Sequence, residues 1–340
     1  MQAAVLHAPG DIRIEEVADP EPRPGHVIVR VEAVGVCGSD LPRMLVKGAH
    51  AMPLICGHEF SGTIASLGPD VSGFDVGERV GITPMIPCGV CDQCRIGAFS
   101  RCRNYDYFGS RRDGAYAQFV SVPQGNLIRV SDGLDPRALA MADPASIALY
   151  AISKGGGLEP GQVGGVVGCG PIGLFAIQWL RLMGADTVVA VDVVPEKLDL
   201  ARQAGATHCV LSSDPPVDLP RCNLIVEAAG HPSSINFAIK IAAPGGRVAA
   251  IGIPVGDVPL ENATFQHLLR AEISLCGAWN SFTAPFPGSQ WKATIDKLSS
   301  GALNWEFMIS HELSLGELPD IFGRLREDRS FRYSKIMFRP

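Results

Sequence analysis

Hydrophobic and polar positions change their period part-way along the chain. Over the first ~150 residues the sequence is rich in Val, Pro and Gly and runs in short alternating stretches such as V-E-A-V-G, which predict many short strands and a β-rich lobe. From Ala145 onward the apolar runs become continuous: G-G-V-V, T-V-V-A-V-D, the short run 208–211, N-L-I-V-E-A-A-G, G-R-V-A-A-I-G and I-S-L-C-G-A-W. Helical stretches at 171–183, 196–204 and 233–242 separate several of them. Strands apolar on both faces are covered on both faces, so this half is expected to be α/β: a doubly wound, six-stranded parallel sheet. After the A-P-F-P-G turn, a helix at 290–298 and the strand I-M-F-R-P are expected to rejoin the first lobe. A chain of 340 residues is long for a single core. The expected domains are therefore 1–150 with 287–340, and 151–286.

Composition narrows the partners. A net charge of −6 without a basic run argues against nucleic acid. Residues 160–180 carry no charge and are long enough to span a bilayer, but six glycines and two prolines divide them into a strand and a helix. No membrane segment is expected. The chain shows no apolar N-terminal signal segment, so a cytoplasmic protein with few disulfides is expected.

The cysteines carry the first chemistry. Cys88, Cys91, Cys94 and Cys102 follow C-x2-C-x2-C-x7-C, a spacing that lets four thiolates close a tetrahedron around Zn(II), with a disulfide pair or an iron–sulfur cluster as the other readings. Four protein ligands leave no position for substrate, so such a site is structural. Cys37, past an alternating strand, and His58 with Glu59 in G-H-E-F-S-G offer thiolate, imidazole and carboxylate, a set that keeps a position open when water completes it. Against this stand plain packing for the cysteine and a hydrogen-bonded or surface role for the histidine.

The third signal is a G-x-G-x-x-G turn. Gly168, Gly170 and Gly173, with Pro171 and Ile172 between them, follow a strand and open a helix. There the glycines permit a tight turn, close approach of a pyrophosphate and helix–strand packing, and the helix N-terminus meets the phosphates. Asp192 ends the next strand, where a carboxylate would bind the adenosine ribose and repel a 2′-phosphate. NAD is therefore expected over NADP.

Taken in order, C-G-S-D, G-H-E, the four-Cys run and the glycine turn with its acid resemble the zinc-dependent medium-chain dehydrogenases over essentially the whole chain. C-G-S-D-L-P-R, G-S-R-R-D-G, A-T-F-Q-H-L-L-R and W-N-S-F-T-A-P-F-P-G-S-Q-W look most like the polyol branch. The resemblance implies a chaperonin-10-like catalytic lobe, a Rossmann lobe, a cleft holding NAD and catalytic zinc, and two Zn(II) per chain. It implies that Cys37 and His58 bind that zinc, that Glu59 ligates it or holds its water, and that Ser39 accepts the substrate's proton. Oxidation of a sugar alcohol, free or phosphorylated, by a homodimer or homotetramer would follow.

Two positions depart from the pattern. Asp143 stands in M-A-D-P where polyol relatives carry Glu, so the third-ligand position is one methylene short, and an N-cap ahead of Pro144 is the other reading. Pro42 replaces the histidine that ends the proton relay of alcohol-specific relatives. Arg111 and Arg112, with Trp279 and Asn280, are candidate substrate residues, although a surface ion pair with Asp106 or Asp113 would also account for the arginines. A zinc-free NADPH quinone reductase and a nucleotide-binding protein with a decayed metal site are the competing readings.

Overall fold

A computed structural model of the protein describes residues 1–130, 133–254 and 256–340. The chain forms two compact units, Met1–Asp143 with Thr283–Pro340, and Pro144–Phe282. The first break lies at the start of helix Ala142–Lys154 rather than at residue 150. The body of that helix is fastened inside the second unit. Trp179 Nε1 donates to Ala145 O at 2.9 Å, Ser146 Oγ lies 2.9 Å from Ser281 Oγ, and Cys276 Sγ donates to Lys154 O at 3.5 Å.

In the first unit the main sheet runs Leu127–Arg129, Arg79–Ile82, Glu59–Leu67, His26–Gly35, Lys335–Arg339, Ile309–Ser314, with Phe119–Pro123 also paired to His26–Gly35. A smaller sheet orders Asp11–Glu16, Gln2–Ala8 and Leu54–Ile55. Between them lie Leu6, Val29, Val31, Phe60, Ile64, Tyr116 and Phe338, all buried; each such large apolar side chain contributes about 1.5–3 kcal/mol relative to exposure. Register decides what emerges at the sheet's end. Gly35 pairs with Glu59 and Val34 with Phe60, antiparallel, so the end of one strand lies beside the start of the other. Met337 pairs with Gly35 in the same sense, bringing the start of the last strand to that end too. Cys37, His58 and Lys335, far apart in sequence, are thereby delivered to one place.

The second unit is the expected parallel sheet. Its strands are β1 (Gly164–Val167), β2 (Val188–Asp192), β3 (His208–Leu211), β4 (Cys222–Glu227), β5 (Ala242–Ala250) and β6 (Ser274–Gly277), ordered β3-β2-β1-β4-β5-β6 and all parallel. Helices α1 (Pro171–Leu182), α2 (Pro195–Gln203) and α3 (Pro232–Ile241) cross over, each opening on proline, whose fixed φ suits a first turn. Val189, Val191, Ile225, Ile239 and Val248 fill part of the core. The chain leaves β1 toward β2 and β3, then returns to β4 on the other side. Such a switch opens a crevice at the carboxyl ends of the two strands. No helix among the described residues is long and apolar enough to cross a membrane.

Candidate active site

The four-Cys loop is built locally. Cys91 precedes the short helix Asp92–Arg95, which carries Cys94, and Phe99–Arg101 turns the chain back to Cys102. The four sulfurs all lie within 4.8 Å of one another, with Cys88–Cys94 at 3.9 Å and Cys91–Cys102 at 4.0 Å. A tetrahedron with Zn–S bonds of about 2.3 Å has edges of about 3.8 Å, so the spacing fits one zinc ion. All four cysteines are free of disulfides. Backbone N–H groups of Arg103 and Cys94 pull the Cys91 thiol down to about 6, whereas desolvation pushes Cys94 up to about 12 and raises Cys102, so it is the sulfur spacing that indicates the metal. Outside the cluster, Arg103 clasps Asp92 through two bonds of 2.6 and 2.7 Å.

The second cluster, with His58 and Glu59 buried and Cys37 half-buried, is assembled from distant segments. Ligand atoms of Cys37, His58 and Glu59 lie within 4.8 Å of one another. Ser39 Oγ donates to Cys37 Sγ at 3.3 Å. Asp40, fully buried, frames the site from below: Oδ2 accepts from Cys37 N at 3.1 Å and from Tyr116 Oη at 3.0 Å, and Oδ1 accepts from Arg43 Nη1 at 2.6 Å. The same Oδ1 lies 3.4 Å from His58 Nδ1. At that distance the pair is an electrostatic contact, and His58 Nδ1 has no hydrogen-bond partner among the described residues.

On the other flank the buried Lys335 ammonium donates to Glu59 Oε2 and, at 3.0 Å, to Val36 O, next to Cys37. The Tyr107 ring meets His58 edge-on, centroids 5.5 Å apart.

Electrostatics agree with a cation site. Burial opposes a charged His58, but the negative charges of Asp40 and Cys37 outweigh it and hold its pKa well above the usual value. Burial would likewise raise Asp40, yet His58 and Arg43 bring it down to about 2. Asp143 goes the other way: burial first, then the charge of Glu59, push it up to about 7, with His58 and Lys335 opposing. Asp143 lies in the first turn of helix Ala142–Lys154, one residue inside it rather than at its N-cap. It is buried within the influence of Glu59 and His58, but outside the trio whose ligand atoms gather within 4.8 Å.

In the second unit the glycine turn is a cradle. Gly168 has φ +97°, and a Cβ there would stand 2.8 Å from Ala229 N. A Cβ on Gly173 would fall 1.9 Å from Gly168 O, so helix and turn touch backbone to backbone. A Cβ on Gly170 would meet nothing within 4 Å, Pro171 opens α1 without an N–H of its own, and no side chain caps the N–H groups that follow from Ile172. That open space before uncapped amides suits a pyrophosphate. Asp192 Oδ2 accepts from Cys169 N at 2.7 Å and Oδ1 from Val194 N at 2.9 Å. The acid thus binds the turn itself.

The substrate candidates are scattered. Arg112 lies 3.4 Å from Asp106 and over the Phe108 ring, while Arg111 stacks on Tyr105 with 4.7 Å to the centroid. Trp279 is 47% exposed, and Asn280 is buried with φ +53°. Sequence reasoning missed Asp40, Tyr116 and Lys335. Asp40 stood in the quoted C-G-S-D turn, and a lysine opening an otherwise apolar strand was the only signal for Lys335.

Comparison with known proteins follows the same outline. A family model described as "Alcohol dehydrogenase GroES-like domain" matches residues 23–132, and one described as "Zinc-binding dehydrogenase" matches 171–300. Galactitol 1-phosphate 5-dehydrogenase of Escherichia coli K12 is 35% identical over 320 residues, 92% of each chain. Sorbitol dehydrogenase of Bacillus subtilis is 30% identical over 360 residues, covering 100% of this chain and 97% of that one. The crystal structure of galactitol-1-phosphate dehydrogenase from Escherichia coli superposes with a TM-score of 0.94 at 33% identity, covering both chains completely.

Proposed function

The chain belongs to the zinc-binding alcohol dehydrogenases and is an oxidoreductase, and from that premise we propose that it oxidises a secondary hydroxyl of a sugar alcohol or sugar-alcohol phosphate to the ketose, with NAD as acceptor. The observation that carries this reading is the gathering of Cys37, His58 and Glu59 at one end of a sheet, three ligand types with a coordination position to spare. Zinc bound there supplies Lewis-acid polarisation of the hydroxyl, and NAD supplies the hydride acceptor.

The protein's own part is placement and proton handling. Cys37 and His58 hold the metal, and Asp40 and Lys335 fix the segments that carry them. Glu59 is restrained by Lys335, which favours Asp143 as the further carboxylate at the metal or its water. Ser39, whose hydroxyl lies 3.3 Å from Cys37 Sγ, would take the alcohol's proton while releasing its own toward cofactor ribose and water. Cys88, Cys91, Cys94 and Cys102 hold the structural zinc. Gly168, Gly170, Pro171, Ile172 and Gly173 receive the pyrophosphate, and Asp192 selects NAD by repelling a 2′-phosphate.

Support for a phosphorylated substrate comes from the galactitol 1-phosphate relative and from Arg111. Arg112 is tied to Asp106 and Arg43 to Asp40, whereas Arg111 has no ion pair among the described residues. The likeness to a sorbitol dehydrogenase favours the second reading, a free polyol. Cytoplasmic residence and a homo-oligomeric state are carried from the family resemblance.

The test is a panel of free and phosphorylated polyols with NAD and with NADP, on protein of measured zinc content. The expected result is NAD-linked ketose formation, fastest with a polyol phosphate. Absence of turnover on every polyol and polyol phosphate overturns the reading, and equal use of NADP removes the role given to Asp192.

A further inference from the structure

One buried carboxylate in the second unit is used neither by the metal clusters nor by the glycine fingerprint. Glu227 ends β4, is 0% exposed, and pairs in the sheet with Val167 of β1 and Ala250 of β5. Its Oε1 collects three donors: Ala229 N at 2.9 Å, Gly230 N at 2.8 Å and Ser234 Oγ at 2.7 Å. Its Oε2 has no hydrogen-bond partner among the described residues. A buried carboxylate is costly to desolvate, and one kept at the end of a core strand needs a reason beyond packing.

The reason lies in what the three donors belong to. Ala229 and Gly230 form the loop after β4, and Ser234 lies in the first turn of α3, so one oxygen ties strand, loop and helix together. That loop rests on the glycine turn itself, since a Cβ on Gly168 would strike Ala229 N at 2.8 Å and Ala229 Cβ at 2.9 Å. On its far side, a Cβ on Gly252 would fall 2.1 Å from Gly230 N. Glu227 also takes the next loop through its backbone, its carbonyl accepting from Ile251 N at 2.9 Å and Gly252 N at 3.1 Å. Three successive strand-end loops are thus stacked without side chains between them, at the switch point where β1 and β4 diverge.

We propose that Glu227 is a positioning residue of the dinucleotide site: by gathering the amides of Ala229 and Gly230 it sets the loop after β4 against the Gly168 turn, fixing both walls of the crevice before the cofactor enters. The role needs an acceptor at Oε1 and does not need a negative charge. It rests on the reading of this crevice as a dinucleotide site.

The test uses the full-length, zinc-loaded protein with NADH as probe, followed by fluorescence titration and by amide hydrogen exchange. Glu227→Ala is expected to weaken NADH binding by about tenfold or more, the size of about one lost hydrogen bond. In the same variant the Ala229 and Gly230 amides should exchange faster while zinc per chain is unchanged. Glu227→Gln, whose amide oxygen can take the same three donors, should bind NADH within about threefold of wild type. If Glu227→Ala does not fold, Ser234→Ala, which removes one donor, should show a smaller loss in the same direction. Wild-type affinity in a folded Glu227→Ala or Ser234→Ala protein overturns the proposal, and so does a Gln variant as weak as the Ala variant. Failure of the wild type to bind NADH removes instead the dinucleotide reading on which the proposal stands.

Discussion

The two candidate metal sites of the first unit, four thiols in one and a thiol, an imidazole and a carboxylate in the other, are of opposite construction. The closed one takes all four thiols from Cys88–Cys102, on short turns that the local chain dictates, and the charge pair outside it, Arg103 with Asp92, is largely solvated at 66% and 53% side-chain exposure. The open one takes Cys37 and His58–Glu59 from different strand ends and is framed by buried charges, Asp40 below and Lys335 beside it. A cluster built locally stabilises the chain that makes it. A cluster assembled by sheet register uses stability supplied elsewhere to hold ligands in a buried, charged and partly open geometry.

Breaking each metal site tests that division most strongly. Zinc bound by four thiolates contributes about 10–16 kcal/mol in small zinc domains, comparable to the 5–15 kcal/mol that stabilises a whole protein. Cys94→Ala is expected to yield little folded protein. Cys37→Ala should fold, retain one zinc of two, and lose turnover by about a thousandfold or more, since metal activation is worth several kcal/mol at about 1.36 kcal/mol per factor of ten. Elemental analysis and a urea melt read both effects. Two zinc ions retained in Cys37→Ala would show that the metal sits elsewhere, and a stable, soluble Cys94→Ala would leave the closed site without a structural role.

The framing charges provide the next contrast. Lys335 and Glu59 have side-chain exposures of 1% and 4%, so removing one partner strands a buried charge. Lys335→Met should cost about 3–5 kcal/mol in a denaturant melt, and adding Glu59→Gln should recover part of that loss. Arg103→Ala at the closed site should cost far less than that, because water already screens the pair. Equal losses would erase the distinction between a buried frame and a surface clasp.

Asp192 gives an intermediate effect in the second unit. Its carboxylate accepts from Cys169 N inside the glycine turn, so Asp192→Ala loses an anchor as well as the proposed ribose contact. The Michaelis constant for NAD should rise by about tenfold or more, with that for NADP changing less, in line with hydrogen bonds to an ionised acceptor. A rise shared equally by both cofactors would assign Asp192 to the turn alone.

The contrast also explains what could be read from the chain directly. The four-Cys site, the glycine turn and the parallel strands are contiguous in sequence, because spacing and period are local properties. Cys37, His58 and Glu59 were visible as residue types, but their meeting depends on the pairing of Gly35 with Glu59, which no local pattern encodes. Lys335 was invisible for the same reason: it reaches Glu59 only because the last strand returns beside the one that leads to Cys37. Asp143 stood at the third-ligand position with a helix cap as its other reading; the helix begins one residue earlier, so the carboxyl is buried inside the first turn and does not cap it.

The smallest effect concerns what joins the two clusters. The chain leaving Cys102 carries Tyr105, Tyr107, Arg111 and Arg112, and the Tyr107 ring meets the edge of His58. The closed site therefore braces a segment that reaches the open one, and the arginines ride on that segment. Arg112 is held by Asp106 and covers Phe108, whereas Arg111 rests on an aromatic face, an attraction worth about 0.5–1 kcal/mol at exposed sites and easily exchanged for a phosphate. Arg111→Ala should raise the Michaelis constant for a polyol phosphate by about tenfold, the size of one charge-assisted hydrogen bond, and leave the free polyol unaffected. Arg112→Ala should alter the two substrates alike, because its pairing with Asp106 shapes the segment rather than the ligand. A reversed pattern would move the phosphate contact to Arg112, and no selectivity in either variant would make the braced segment a support for His58 alone.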